Sequence, residues 1–242
     1  MNIVNANFEV RLPMPWEEMI KHIEWCGRTC YKSEDLITET SAEAFMRKLI
    51  DSGHESVIEH IGFTVKFIED RGITHEHVRH RITSLSQEST RYCNYSKGKF
   101  GNSITVVSIK RGIELDAATA KLPLPNKEAI IDVWMKAMIA AEKYYMKMIE
   151  LGASAQIARS VLPQSTKAEL VISANIREWR HILKLRTSRA AHPQMREVMI
   201  PLLRMLQKQC PVLFGDIEPD PESVKTLRWI ESVGDDALPM WR

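Results

Sequence analysis

The chain has 242 residues, of which 44% are hydrophobic and 26% are charged, as is ordinary for a soluble globular protein. Its 33 lysines and arginines face 31 acidic residues, and the net charge of +2 excludes general nucleic-acid binding through a basic surplus. No stretch approaches the roughly 18 apolar residues that span a bilayer and no secretory leader is evident, so we expect a cytoplasmic protein that does not bind membranes.

The spacing of apolar residues predicts the elements of the first half of the chain. Phe63, Val65 and Phe67 alternate with other residues, which is typical of a half-buried strand. Apolar residues at helical spacing follow Pro15 and Ser41. The polar stretch 86–103 predicts a long loop, which in a compact domain is functional or disordered. The predicted elements are strand 3–12, helix 15–26, helix 41–52 ended by Gly53, strand 63–68, helix 75–85 capped by Thr74, and strand 104–109.

The second half predicts more helix than strand. The elements are a long helix 126–151 closed by Gly152, a short helix 154–162 stopped by Pro163, strand 169–174, helix 175–185 starting at Asn175, and helix 194–209 kinked or broken at Pro201. Strands and helices do not alternate strictly, which argues against a doubly wound sheet. We therefore predict a helix-rich α+β fold, with mixed helices around a mostly antiparallel central sheet, in a single domain 1–242. No Gly-x-Gly-x-x-Gly turn is present, so a dinucleotide cofactor would bind in another way.

Residues 79–92 are the most informative stretch, with three arginines and five serines or threonines. Guanidinium groups match phosphates and the edges of planar heterocycles, and hydroxyls complete an anion pocket. If Arg79 and Arg81 lie on one helix, a step of about 200° points them to nearly opposite faces, where they would serve two ligands. A solvated basic face is the alternative interpretation.

Four ordered segments resemble one family. Arg79-His80-Arg81, followed after seven residues by Ser89-Thr90-Arg91-Tyr92, is similar to the signature of flavin-dependent thymidylate synthases. The segments 53–60, Ala158 to Pro163, and Asn175 through Arg186 resemble further motifs of that family in the same order. The resemblance covers about residues 20–213.

The resemblance implies an FAD-dependent methyltransferase that converts dUMP to dTMP. The carbon would come from 5,10-methylenetetrahydrofolate, NADPH would reduce the flavin, and a homotetramer would share its active sites between chains. The implied FAD contacts are Ser56, Arg79, His80, Arg81, Ile82, Gln87, Asn175, Ile176, Arg177 and His181. The implied nucleotide contacts are Glu76, His77, Val78, Arg79, Gln87, Glu88, Ser89, Thr90, Arg91, Arg159 and Arg186. Arg186 would be catalytic by stabilising charge on the pyrimidine, and His54 would lie where folate or nicotinamide stacks on the flavin.

The chain departs from the family pattern at three places. Gln87 stands where some relatives have Glu, which argues against acid–base chemistry there. Glu88 occupies a position where an apolar residue is common. The segment 187–192 is longer than in some relatives and leaves His192 without a role.

Other chemistries are weighed against this interpretation. His75, His77 and His80 lack the His-Glu-x-x-His spacing and have arginines beside them, so we expect no metal site. Cys93 and Cys210 are expected to be plain thiols. Ser89 fits hydrogen bonding to phosphate better than nucleophilic attack. A non-enzymatic RNA-binding module that uses the arginine-rich loop is the alternative from another class, and it predicts a basic surplus that the chain lacks.

Overall fold

Two sheets and ten α-helices make up residues 1–239, the part of the chain that a computed structural model describes. The strands are β1 (Asn2–Val4), β2 (Asn7–Arg11), β3 (Gly62–Asp70), β4 (Ser84–Gln87), β5 (Thr105–Val107) and β6 (Lys167–Asn175). The helices are α1 (Trp16–Tyr31), α2 (Ser41–Asp51), α3 (Arg71–His77), α4 (Lys110–Leu115), α5 (Leu124–Glu150), α6 (Ala155–Ala158), α7 (Ile176–Arg186), α8 (Pro193–Gln209), α9 (Pro211–Phe214) and α10 (Pro221–Val233). None of these helices is both long and apolar enough to cross a membrane.

The central sheet has four strands in the order β2-β3-β6-β4, and every neighbouring pair is antiparallel. β1 and β5 form a separate parallel pair. The predicted helix-rich α+β fold with a mostly antiparallel sheet is confirmed. β4 lies at the edge of the central sheet and pairs with β6 from Ser84 opposite Ser173 to Gln87 opposite Leu170.

One face of the central sheet carries the main core. Phe63, Val65 and Phe67 of β3 are buried at alternate positions, as the sequence pattern predicts. Trp179 of α7 stacks on Phe63 with ring centroids 5.0 Å apart, and its indole N–H donates to the Phe63 carbonyl at 2.9 Å. This contact fixes α7 against the sheet. The residues at the two ends of α7 are therefore held in fixed positions relative to the sheet.

A second cluster of buried residues holds the stretch predicted as a long loop. Tyr95 is buried against Tyr145 of α5, and its backbone N–H donates to the Tyr145 hydroxyl at 3.3 Å. The same cluster includes Ile104 and Val106 beside β5. The connection after β4 is therefore packed onto α5. This packing holds the end of β4 and the turn that follows it in place.

Three predicted boundaries are wrong. The strand predicted for residues 3–12 is two strands in two different sheets, β1 and β2. The helix predicted to run to about Cys26 continues to Tyr31, and Pro15 precedes it instead of lying in its first turn. The helix predicted for residues 75–85 is instead α3 followed by β4, because Asp70 caps α3 by accepting from the Ile73 N–H at 2.8 Å. Helix α8 runs unbroken through Pro201.

Candidate active site

The Arg79-His80-Arg81 segment lies in the connection between α3 and β4. Arg79 N–H donates to the Glu76 carbonyl at 3.3 Å, and His80 N–H donates to the His77 carbonyl at 3.0 Å, which closes a turn after α3. The prediction that Arg79 and Arg81 occupy opposite faces of a helix is therefore wrong, since neither is helical. Both side chains are exposed, and neither guanidinium has an ion-pair or hydrogen-bond partner among the described residues.

Asn175 begins α7 as the sequence predicts. Its side-chain oxygen accepts from the Glu178 N–H at 2.8 Å, which satisfies one of the free donors of the first turn. Arg177 pairs with Glu59 at 2.5 Å across the mouth of the site. Ile176 is fully buried, so its side chain belongs to the core and only its backbone can approach a ligand.

Two adjoining clefts open around this helix start. One has a volume of about 780 Å³ and is lined by residues that include Arg81, Thr83 and Ser84. The other has a volume of about 560 Å³ and is lined by residues that include Arg177 and His181. Glu59, Ile82 and Asn175 line both clefts, and Ile82 is 71% exposed there. These volumes are those of ordinary ligand sites.

Arg186, at the last residue of α7, is held by three hydrogen bonds. Its Nη1 donates to Glu76 Oε2 at 2.9 Å, and its Nη2 donates to the Glu76 carbonyl at 2.7 Å. Its Nε donates to His80 Nε2 at 2.9 Å. A guanidinium carries five N–H groups, so one N–H on each terminal nitrogen is left for a ligand. The structure thus fixes a cation with two N–H groups left over.

His80 is buried between Arg186 and the first turn of α7. Burial first, and then the charge of Arg186, lower the pKa of His80 to about 4, so the imidazole is neutral at physiological pH. Its Nδ1 lies 3.8 Å from Glu178 Oε1, and its ring meets the His181 ring edge-on at 5.9 Å. Burial also raises the pKa of the Glu178 carboxyl. Sequence motifs did not single out Glu178, although its position three residues after the capping Asn175 is where a capping box has its acid.

His80, Glu178 and His181 each offer an atom that could bind a metal, within 4.8 Å of one another. Arg186 donates to His80 Nε2, which leaves the proton on Nδ1, the nitrogen that faces Glu178. A cation would have to displace that proton beside a fixed guanidinium, so this set is better suited to hydrogen bonding than to metal binding. The other histidines weighed as ligands are apart from it: His75 is exposed, and His77 is buried against Phe67.

A second group of arginines lies beyond the other end of β4. Ser89, Thr90 and Arg91 form a turn in which the Tyr92 and Cys93 N–H groups donate to the Ser89 carbonyl. Arg91 Nε donates to Gln156 Oε1 at 3.1 Å, and Arg159 Nη1 lies 3.5 Å from Thr90 Oγ1. Neither guanidinium has a carboxylate partner among residues 1–239. The two clusters of arginines therefore lie beyond opposite ends of β4, a strand about 13 Å long.

Four of the other residues predicted to contact ligands are described by their side-chain partners or their exposure. Gln87 Nε2 donates to Thr74 Oγ1 at 2.7 Å. Thr74, predicted to cap a helix, therefore holds the Gln87 side chain instead. Glu88 pairs with Lys167 at 2.9 Å. Ser56 is exposed on the 3-10 helix Glu55–His60, and Val78 is 42% exposed.

The four cysteines do not form disulfides with one another. Cys26, Cys30, Cys93 and Cys210 are all free. Burial raises the pKa of Cys210 to about 11, so its thiol stays protonated at physiological pH.

Comparison with known proteins gives a consistent result. The family model described as thymidylate synthase complementing protein matches residues 12–212. A flavin-dependent thymidylate synthase of Mycobacterium sp. (strain KMS) is 32% identical over 233 residues, covering 89% of this chain and 88% of the relative. Another, from Corynebacterium glutamicum, is 31% identical over 204 residues, covering 81% of this chain and 78% of the relative.

A solved structure shares the fold. The UMP/dUMP methylase PolB from Streptomyces cacaoi, crystallised with 5-Br dUMP, superposes with a TM-score of 0.71. The match covers 89% of this chain and 96% of that chain at 22% identity, which shows a common fold. The RNA-binding alternative finds no support in these comparisons.

Proposed function

Because this chain belongs to the family of flavin-dependent thymidylate synthases, we propose that it methylates dUMP to dTMP with 5,10-methylenetetrahydrofolate as carbon donor, FAD as flavin and NADPH as reductant. Membership makes the chain a methyltransferase. The observation that carries the detailed proposal is the pair of arginine clusters, Arg79 with Arg81 and Arg91 with Arg159, which have no carboxylate partners among the described residues. The reaction needs two anion sites, one for the diphosphate of FAD and one for the phosphate of dUMP.

The two adjoining clefts fit a flavin nucleotide. Arg81 lines the first cleft and, with Arg79 two residues before it, offers an exposed cation suited to a diphosphate; Ile82 is an exposed apolar side chain suited to a ring face. Asn175, Arg177 and His181 line the same space and offer polar contacts to the edge of a heterocycle. A bound flavin supplies the hydride that reduces the transferred methylene to a methyl group, and NADPH restores it.

The nucleotide phosphate is assigned to the turn of Ser89, Thr90 and Arg91 together with Arg159. Two guanidinium groups, with the half-buried Ser89 hydroxyl and the amides of a turn, form a compact anion cradle. The base is assigned to Arg186, whose two remaining N–H groups can grip a carbonyl and stabilise the negative charge that develops when the ring attacks the carbon donor. Glu76 and His80 hold that cation in place before substrate binds.

We propose a homotetramer with shared sites, and the placement of the two clusters supports the sharing. In one chain they lie at opposite ends of edge strand β4, whose side chains are exposed, with Leu85 38% exposed and nearby Tyr92 80% exposed. Exposed edge strands are normally covered. Helix α5 also presents an exposed apolar stripe that includes Val133 and Tyr144. A second copy covering these surfaces would bring its own cradle to the flavin cleft.

The test of the function is product formation by the purified protein reconstituted with FAD. With dUMP, methylenetetrahydrofolate and NADPH, we expect one dTMP for each NADPH oxidised, and tritium release from dUMP labelled at carbon 5, where the new bond forms. Omission of the folate should abolish dTMP. A protein that binds no FAD, or one that binds FAD but forms no dTMP, would contradict the proposal.

A further inference from the structure

Helix α7 carries charged residues at both of its ends that meet the same imidazole. Glu178 lies in its first turn and Arg186 at its last residue. His80, from the connection between α3 and β4, lies between them, with Nε2 accepting from Arg186 Nε at 2.9 Å and Nδ1 at 3.8 Å from Glu178 Oε1. All three side chains are mostly buried, since the exposed fractions are 5% for His80, 10% for Glu178 and 18% for Arg186.

The side chains of Glu178, His80 and Arg186 form a line, and their chemistry determines which nitrogen of His80 carries the proton. Arginine can only donate, so the His80 Nε2 atom that it contacts must carry a lone pair. A neutral imidazole with a lone pair on Nε2 has its proton on Nδ1, which is the atom that faces the Glu178 carboxylate. At 3.8 Å the carboxylate is beyond hydrogen-bond distance and acts on the Nδ1–H through its negative charge. The line therefore runs from the Glu178 carboxylate through His80 to Arg186, and Glu76 holds the guanidinium from its other side.

We propose that Glu178 is a positioning residue for the reaction: its carboxylate, 3.8 Å from His80 Nδ1, favours the tautomer with the proton on that nitrogen and so orients His80, and through His80 it aims Arg186. This inference rests on the proposed function, because Arg186 acts on the pyrimidine only if that function holds. Without Glu178 the Nδ1–H loses the negative charge that faces it, which weakens the Nδ1 tautomer and with it the Nε2 lone pair that accepts from Arg186 Nε. Nothing in this role requires Glu178 to touch a ligand.

A double-mutant cycle on the FAD-loaded protein tests the route through Arg186. Glu178→Leu should slow single-turnover oxidation of the reduced flavin by about tenfold, the loss expected when one charged partner of a buried polar network is removed. In the Arg186→Ala background the same change should slow the reaction less than about twofold, because the arginine that Glu178 acts on is absent. Glu178→Gln keeps an oxygen that can face Nδ1–H and should retain most of the rate. Glu222→Leu removes a first-turn carboxylate from α10, which pairs with exposed Lys225, and serves as the matched control. Equal losses in both backgrounds would overturn the proposal.

A second measurement needs no substrate. Solid-state nitrogen NMR of protein labelled in its eight histidines distinguishes protonated from unprotonated ring nitrogens, and a His80→Gln sample assigns the His80 signals. We expect wild-type His80 to carry its proton on Nδ1, and Glu178→Leu to weaken that preference. A wild-type His80 with its proton on Nε2 would overturn the proposal even if Glu178→Leu fails to fold. Absence of dTMP formation with the Nδ1 tautomer intact would instead count against the proposed function.

Discussion

Replacing Arg186 with alanine removes three hydrogen bonds and a fixed cation from the site. The guanidinium donates twice to Glu76 and once to His80, so its two free N–H groups are held ready before substrate binds. Losing one such preorganised donor typically costs about 3 kcal/mol of transition-state stabilisation, on the order of a hundredfold in rate. Arg186→Lys keeps the charge on a single nitrogen that cannot hold both Glu76 oxygens and His80 together. We expect it to lose about tenfold, between wild type and alanine.

The assay is single-turnover oxidation of the reduced flavin with saturating dUMP and methylenetetrahydrofolate. Flavin content and flavin reduction by NADPH should remain near wild type, because Arg186 itself is not among the assigned flavin contacts. Arg204→Ala breaks an exposed arginine–glutamate pair on α8 and should leave the rate unchanged. Removing the Arg186 charge should also raise the pKa of His80 from about 4, since that charge is the second cause that lowers it. An unchanged single-turnover rate in Arg186→Ala would refute the catalytic role.

Three other predictions test the shared site, the phosphate cradle and a buried acid. Mixing inactive Ser56→Arg and Arg91→Ala variants should restore activity if each site uses the flavin cleft of one chain and the cradle of another, and no recovery between exchanging subunits would count against sharing. Arg159→Ala should weaken dUMP binding by about tenfold and leave deoxyuridine binding unchanged, as measured by calorimetry; an equal loss for both ligands would remove Arg159 from the phosphate site. Burial raises the pKa of Glu197 from 4.5 to about 8, so its ionisation opposes folding increasingly as pH rises from 4.5 to 8. Glu197→Gln should therefore stabilise the protein by about 3 kcal/mol at pH 7 and have little effect at pH 4, as measured by urea unfolding; an effect independent of pH would contradict this account.

Local patterns predicted the elements whose signals do not depend on tertiary contacts. Gly53 and Gly152 follow helices and adopt φ of +68° and +93°, conformations that favour glycine, and Asn175 caps α7 as its residue type suggests. The sequence pattern placed the start of α3 wrongly because Asp70 and Thr74 are both residue types that cap helices, and either could begin this one. Burial of Thr74 and its bond from Gln87 decide the outcome, and both depend on the folded sheet.

Strand β4 was missed for a related reason. Its four residues, Ser84 to Gln87, include one apolar side chain, so no alternation marks them. They form a strand because β6 offers an unpaired edge, and the turn after α3 delivers the chain to it. Tyr95 gives a similar lesson, since the aromatic residues of the polar stretch have no strand or helix period, yet Tyr95 and Phe100 pack in the cluster that holds the connection on α5. Pairing and anchoring of this kind depend on partners far away in sequence.

The motifs identified Arg186 and His80 separately, 106 residues apart, and could not show that one donates to the other. That bond constrains the protonation of the site. If His80 gained a proton, Nε2 would become a donor, and two donors cannot share the bond to Arg186. Burial and the guanidinium prevent this by keeping the pKa of His80 near 4, well below its ordinary 6.5. Since the unfolded chain takes up the proton at higher pH than the folded one, the contribution of neutral His80 to stability is lost as pH falls from about 6.5 through about 4. The donor order around Arg186 is therefore constant over the physiological range, and its hydrogen bonds to Glu76 and His80 hold the guanidinium in one orientation.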